Sequence, residues 1–407
     1  MMESLNAHMA PALPAPGTAG CPGCGSAETL EFYSLSGAPV HSVLLFATRE
    51  AAAEYPRGEI RLAFCARCGF IWNSSYQHKL QEYSERCEET QGFSETYNDF
   101  ARRLASDLVE RHGLRGKHIL EIGCGKGEFL DLLCELGGNT GKGFDPAFRE
   151  ERGGRPPGVS FVKDFYSEKY SDEPADFMVC KMTLEHIGET AKFISVIRKA
   201  LGKRETRVFF QVPDVTRVLR ELAFWDVYYE HCSYFSPGSL GRLFRASGFE
   251  VTGITRGYGG QYLFLEAVPS SGKATPPPPA LPIEEEPDEL RNAVDFFSEN
   301  VIQKTALWRH KLREFRKSGY RTVLWGSGSK GVAFLTTLGV TDEIKYVVDV
   351  NPRRCGTFMA GTGHEIVSPG FAARYRPDAV ILMNPVYKSE VVMELERLGH
   401  FAEVLTV

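Results

Sequence analysis

The sequence lacks an excess of positive charge. Its 47 Lys and Arg are outnumbered by 52 Asp and Glu, a formal net charge of −5 over 407 residues. A chain without a basic field is a poor partner for phosphate backbones or anionic membranes. Long apolar runs are missing too, since none approaches the ~20 residues of a spanning helix. Met1 to Gly20 contain no Lys or Arg, so the charged start of a secretory leader is absent, and the segment reads as a flexible tail. No short-period repeat is visible, which excludes a solenoid. These absences predict a cytoplasmic protein with neither a nucleic-acid nor a membrane partner.

What is present suits a globular chain: 43% hydrophobic, 24% charged and 12% aromatic residues. At ~150 residues per domain, the length predicts two to three domains. Four of the ten cysteines form two pairs, Cys21-Pro-Gly-Cys24-Gly25 and Cys65-Ala-Arg-Cys68-Gly69. Four thiolates are the tetrahedral set that zinc prefers. The trailing glycine of each pair tolerates the positive φ of a tight knuckle. A structural Zn2+ on Cys21, Cys24, Cys65 and Cys68 is expected, with a redox dithiol as the rival. The long spacer between the pairs calls for a hairpin-rich insert. Residues 21–90 carry six basic against nine acidic side chains, the wrong balance for reading phosphate. Cys87, Cys124, Cys134, Cys180, Cys232 and Cys355 are scattered and fit reduced, mostly buried thiols.

A boundary lies at Pro269 to Pro287. It includes Pro276 to Pro279 and the acidic run Glu284 to Glu286, a composition that acts as a semi-rigid spacer. The expected division is a tail (1–20), a zinc-binding module (21–90), a middle domain (91–268), a linker (269–287) and a C-terminal domain (288–407). Tyr97, Phe100, Ala101, Leu104 and Leu108 give the middle domain an amphipathic opening helix. Strand-like segments at 118–122, 142–144, 176–180 and 207–212 then alternate with helical ones. That alternation predicts an α/β, doubly wound parallel sheet. Two final strands near 250–254 and 262–267 have no helix between them and form an edge hairpin. The C-terminal domain repeats the style on a smaller scale, with strands at 322–325, 346–349 and 379–382.

The strongest chemical signal is Glu121-Ile-Gly123-Cys-Gly125-Lys-Gly127, a strand running into a glycine turn and a helix. Such glycines let backbone N–H groups approach a ligand. Asp145, at the end of the next strand, is placed for ribose hydroxyls. Nicotinamide enzymes use similar loops, but an acidic residue two positions before the first glycine resembles motif I of class I S-adenosylmethionine-dependent methyltransferases. Asp164-Phe165 fits that family's adenine-facing pair, and Asp176 to His186 its fourth-strand motif, which includes Met182. The resemblance implies a Rossmann-like core with a seven-stranded mixed sheet and S-adenosyl-L-methionine as cofactor, held by Glu121, Gly123, Gly125, Gly127, Asp145, Asp164, Phe165 and Met182.

Tyr228-Tyr-Glu230-His231-Cys-Ser-Tyr234-Phe-Ser236 is dense in titratable groups. Histidine is the usual base for abstracting a proton beside a carbonyl, and a tyrosine hydroxyl can serve an enolate. A satisfied core histidine stands equally well on these residues alone. His186 and His41 are rival polar candidates, His186 reading as support for the cofactor site. With the double knuckle, this segment and the C-terminal Trp325-Gly326-Ser-Gly328-Ser-Lys330-Gly331 followed by Val348-Asp349-Val-Asn-Pro352, the chain resembles the sugar C-methyltransferases of deoxysugar biosynthesis. The resemblance spans almost everything after the tail. It implies a nucleotide-linked keto sugar as small-molecule substrate and methylation through an enolate. It makes His231 the base, with Glu230 and Tyr228 as its partners. Gly326, Gly328, Lys330, Asp349 and Tyr234 would bind substrate, since the second glycine turn offers N–H groups and a cation to a pyrophosphate. The family's His-Gly-Gly-Ser segment is replaced by Arg256-Gly-Tyr-Gly-Gly-Gln261, and residues 39–42 are also atypical, so O- or N-methylation stays open. A non-catalytic S-adenosylmethionine-binding protein is the other alternative. A monomer and a homodimer fit the sequence equally.

Overall fold

The computed structural model describes residues 20–81, 86–150, 155–271 and 279–407. Residues 1–19 of the expected tail and 272–278 of the linker lie outside them. Among the described residues no helix is long and apolar enough to cross a membrane.

The N-terminal module is an antiparallel sheet. It is built from β1 (Thr29–Pro39), the short α1 (Arg49–Ala53), β2 (Arg57–Cys65) and β3 (Ile71–Asn73). The β1–β2 hairpin is the insert that the spacing of the cysteine pairs requires.

The middle domain opens with α2 (Glu95–Arg111). Ser94 caps it by accepting from the Tyr97 N–H at 3.2 Å, and Leu104, Ala105, Leu108 and Val109 form its buried stripe. Next come β4 (His118–Ile122), α3 (Glu128–Gly137), β5 (Thr140–Phe144), β6 (Val159–Val162), β7 (Phe177–Lys181), α4 (Thr190–Leu201), β8 (Arg207–Pro213), α5 (Val215–Glu221), β9 (Ser233–Tyr234), α6 (Pro237–Ala246), β10 (Phe249–Gly257) and β11 (Tyr262–Pro269). The seven-stranded sheet has the order β10-β11-β8-β7-β4-β5-β6. β4 to β8 run parallel, while β11 enters antiparallel beside β8 and pairs with β10 as the edge hairpin. This is the mixed sheet expected of a class I methyltransferase. β9 leaves that sheet altogether. It pairs with β3, so the middle domain supplies the fourth strand of the N-terminal sheet.

The C-terminal domain has the long α7 (Pro287–Lys317), then β12 (Thr322–Trp325), α8 (Ser329–Leu338), β13 (Tyr346–Val348), β14 (Glu365–Val367), α9 (Pro369–Tyr375), β15 (Ala379–Leu382), α10 (Lys388–Arg397) and β16 (Glu403–Thr406). All five strands are parallel, in the order β14-β13-β12-β15-β16. β6, β14 and β16 escape sequence reading because they are short and partly exposed at sheet edges, where apolar patterning is weak.

One hydrophobic core joins the N-terminal and C-terminal sheets through residues 215–234 of the middle domain, and a second joins the N-terminal module to the seven-stranded sheet. Phe32 and Tyr33 of β1 meet Phe297 of α7 edge-on at 6.2 and 5.4 Å, and Phe224 stacks on Phe334 of α8 at 5.9 Å. Gly58 of β2 lies under the Tyr229 ring, where a Cβ would come within 2.2 Å of it. Truncating a fully buried ring such as Phe297 costs ~3–5 kcal/mol, so docking is a matter of packing. The described end of the linker departs from the solvated spacer expected. Glu284 is buried in a two-pronged pair with Arg245 at 2.6 and 2.7 Å, and the Gly238 N–H donates to Glu285. Glu286 then caps α7. The acidic run is a clamp on α6.

Candidate active site

The first glycine turn leaves the end of β4 and opens α3. Gly123, Gly125 and Gly127 all have positive φ, at 69°, 54° and 81°. A Cβ on Gly123 would sit 2.0 Å from the Thr183 hydroxyl oxygen. Glycine is required there twice over, by backbone and by space. Asp145 folds back on this turn: one carboxylate oxygen accepts from the Gly125 N–H at 2.9 Å and the other from the Ala147 N–H at 2.8 Å. The ribose contact expected of it would fall to its remaining lone pairs. Burial pushes its carboxyl up to about 6. Glu121 is buried at the strand end, with one carboxylate oxygen unpartnered, and burial pushes it up to about 8. An orphaned buried acceptor beside a turn of backbone N–H groups suits the hydroxyls of a nucleoside ligand. Asp164 instead binds Lys169 and, at 2.7 Å, the Tyr170 hydroxyl, while the Phe165 ring is exposed. Met182 follows β7 with a φ of 52°, a left-handed conformation costly for a side chain of its size.

From Met182 the chain turns directly toward the histidines. Thr183 reaches back to the Gly123 carbonyl at 3.4 Å, and a single 3-10 turn, Leu184–His186, carries His186 against His231. Their ring centroids are 4.9 Å apart, and Tyr228 lies 4.1 Å from His231 on another side. Burial lowers His231 well below its ordinary range, with His186 and Lys330 acting the same way. The imidazole is thus neutral at neutral pH. Burial drives the Tyr228 phenol well up, so it stays a donor. Tyr234 donates its hydroxyl to the Tyr228 carbonyl at 3.4 Å. The β3–β9 pairing holds this segment in place, as does the Asn73 N–H donating to the Cys232 carbonyl at 2.9 Å.

Glu230 is where the structure parts from the expected pairing. Its side chain does not serve its sequence neighbour. One oxygen accepts both the N–H and the hydroxyl of Ser42 at 2.6 Å and faces His41 at 3.5 Å. Only its backbone carbonyl joins the histidine pair, accepting from His186 Nδ1 at 3.0 Å. Glu230 lies in a turn ahead of β9, its carbonyl also accepting the Cys232 N–H at 3.1 Å, and from that turn its carboxylate reaches the N-terminal module while His231 packs on Tyr228 and His186.

The second glycine turn, between β12 and α8, is bolted to both other domains. The Asp349 carboxylate accepts the Ser327 N–H at 2.9 Å and the Ser327 hydroxyl. The Ser42 and Ser329 hydroxyls are hydrogen-bonded at 2.7 Å. Lys330, expected at a pyrophosphate, binds Asp226 at 2.6 Å and Gln261 at 3.1 Å. Burial acts to lower Lys330, with Asp226 opposing. Gln261 and Asn384 exchange two amide bonds at 2.8 and 3.0 Å across the same junction. Gly326 and Gly328 have open space where a Cβ would go. Glu88, fully buried, receives Arg149 at 3.3 Å and Asn351 at 3.2 Å. Ser42, Glu88, Glu185 and Gln261 went unassigned in the sequence. Only for Glu185 was there a signal, an acidic residue beside a histidine at a strand end.

Away from this cleft, Cys21, Cys24, Cys65 and Cys68 converge, with all four sulfurs within 4.8 Å of one another. The Cys21–Cys68 and Cys24–Cys65 sulfurs are 3.6 Å apart. A Zn–S bond of ~2.3 Å implies a tetrahedral edge of roughly 3.8 Å, so the geometry fits the ion. Gly25 and Gly69 turn each knuckle at φ 75° and 74°.

Residues 97–253 match the family model described as a methyltransferase domain. Residues 283–402 match the one described as a C-methyltransferase C-terminal domain. Over 393 residues, 91% of each chain, the sequence is 24% identical to the C-methyltransferase NovU of Streptomyces niveus. Similar solved structures include the 1,6-didemethyltoxoflavin-N1-methyltransferase of Burkholderia thailandensis, at 19% identity and a TM-score of 0.32 over 44% of this chain and 82% of that one. Another is the magnesium protoporphyrin IX methyltransferase of Synechocystis PCC 6803, at 17% identity and a TM-score of 0.32 over 43% and 84%.

Proposed function

We propose that this chain, an S-adenosylmethionine-dependent methyltransferase with a C-methyltransferase C-terminal domain, methylates carbon in a nucleotide-linked keto sugar. The observation that carries this reading is a neutral, buried His231 between Tyr228 and His186, one short turn from the first glycine loop. S-adenosylmethionine supplies an electrophilic methyl carbon on a positively charged sulfur. Carbon becomes a nucleophile only after it loses a proton, which is the task for an uncharged imidazole held beside a ketone. His231 takes the proton from the carbon next to the carbonyl, and the electron pair left behind delocalises onto the ketone oxygen. Tyr228, kept protonated by burial, donates to that oxygen. A donor held by the first glycine turn would supply the methyl group to that enolate carbon and leave as the neutral thioether. Burial of the segment excludes the water that would otherwise return the proton.

Glu121, the three glycines, Asp145, Asp164, Phe165 and Met182 hold the donor. For the acceptor, the reading assigns Gly326, Gly328, Lys330, Asp349 and Tyr234, with Lys330 drawn from Asp226 as a pyrophosphate arrives. The four knuckle thiolates hold a structural zinc ion that fixes the β1–β3 sheet, and so the segment bearing His231.

His231→Asn keeps the side chain polar and close in size. Its expected loss is ~100-fold or more in turnover, with donor binding nearly unchanged. The direct test is solvent-deuterium exchange into a nucleotide-linked keto sugar with no donor present. Exchange by the parent enzyme and none by the variant supports carbon acidity. No exchange by the parent points to oxygen or nitrogen as the acceptor atom.

A further inference from the structure

Glu185 is buried at 1% exposure, and neither carboxylate oxygen has a partner. A buried carboxylate with nothing to accept is costly, and such groups in a folded protein call for a reason. One of its oxygens and one ring nitrogen each of His186 and His231 lie within 4.8 Å of one another. The Nδ1 of His186 donates to the Glu230 carbonyl at 3.0 Å. That bond fixes the tautomer and leaves the Nε2 lone pair of His186 free. The Glu230 carboxylate is committed to Ser42 and His41.

On the reading that His231 accepts a proton from carbon, an imidazolium forms in a buried pocket that already holds Lys330. Lys330 already has Asp226 as its partner, so the new cation needs an anion of its own. We infer that Glu185 is the positioning residue that supplies it, its carboxylate facing the His231 imidazolium across the shared pocket. The proton moves from substrate carbon to the imidazole and the electron pair stays on the substrate. Glu185 exchanges no proton in the step; it stabilises the charge that the step creates.

Burial pushes the Glu185 carboxyl up to about 8. The ionised form therefore builds up as pH rises, and turnover rises with it. Lys181, His186, His231, Cys180, Cys232 and Tyr228 also face this carboxyl. Burial pushes Cys232 up to about 12, carries Tyr228 and Cys180 well above neutrality, and lowers His231 far below it. Burial acts to lower Lys181, but Tyr97, Glu121 and Glu128 together leave it raised, while burial lowers His186. Glu121, also pushed up to about 8, faces the donor turn, so the profile is taken at saturating donor.

The test compares Glu185→Gln, Glu185→Asp and His231→Asn in the full-length enzyme. Glu185→Gln, an isosteric change, is expected to lower kcat on the order of 10- to 100-fold, since an opposite charge within ~4–6 Å moves a pKa by one to three units. KM for the sugar stays the same, and the rise of kcat toward pH 8 disappears. Glu185→Asp restores part of both. A Glu185→Gln enzyme with parental kcat and an intact pH profile overturns the inference while leaving His231 as base. Deuterium exchange that survives in His231→Asn overturns the underlying reading instead. Stoichiometric Co2+ binding beyond the four-thiol site, lost in Glu185→Gln, would reassign the carboxylate to a metal and overturn the inference too.

Discussion

The two glycine turns of this chain are built alike and are embedded differently. Each leaves a parallel strand, opens a ten-residue helix and is tied by a carboxylate from the end of the next strand, Asp145 to Gly125 and Asp349 to Ser327. The first is crowded from within its own domain, since Thr183 and Phe161 occupy the places where side chains on Gly123 and Gly127 would go. The second is open over Gly326 and Gly328 but anchored from outside through Ser42, Asp226 and Gln261. A motif fixes the local path of the backbone. What presses on the turn decides whether its N–H groups belong to one domain's ligand or to a junction of three.

Breaking the crowded turn should have the larger effect. Gly123→Ala adds a Cβ at φ 69° and within 2.0 Å of Thr183. A left-handed alanine alone costs ~1–2 kcal/mol, and the clash adds to it. Donor affinity measured by calorimetry is expected to fall at least ~30-fold, with the thermal transition recorded to show a folded chain. Gly328→Ala, with open space and a negative φ, is the control and should leave donor affinity within about threefold. Similar losses in both variants would erase the distinction between the turns.

The carboxylate that ties the first turn offers a milder probe. Burial pushes Asp145 up to about 6, so it is ionised above that pH and accepts the Gly125 and Ala147 N–H groups there. Below it the carboxyl protonates and loses an acceptor. Donor affinity is expected to weaken severalfold between pH 7 and pH 5, and Asp145→Asn should flatten that dependence. At the second turn the expected change is in substrate affinity rather than donor affinity. Lys330→Met removes a cation that already has Asp226 as a partner. KM for the nucleotide sugar should rise ~10-fold with donor affinity unchanged, and an unaltered KM would assign Lys330 to domain docking alone.

Much of the fold was legible because its signals are local. The stripe from Tyr97 to Leu108, the glycines after β4 and the two knuckles state their geometry within a few residues. Edge strands such as β6 and β16 were silent because little of them is buried. The candidate site was legible only as a set of residue types. His231 stood out by its neighbours in sequence, yet those neighbours misled: Glu230, beside it in the chain, faces His41, while Glu185, 46 positions earlier, faces it in space.

By itself the sequence determined two knuckles, two strand–glycine–helix turns and the alternation that makes parallel sheets, because each depends on backbone conformation and periodicity within one short stretch. Only the tertiary structure decided that β9 would cross to the N-terminal sheet, that the acidic run would clamp α6, and that Lys330 would meet Asp226. Those choices depend on which buried charges and rings find one another across hundreds of residues, and the cost of leaving them unpaired is settled only when the domains close on a shared core.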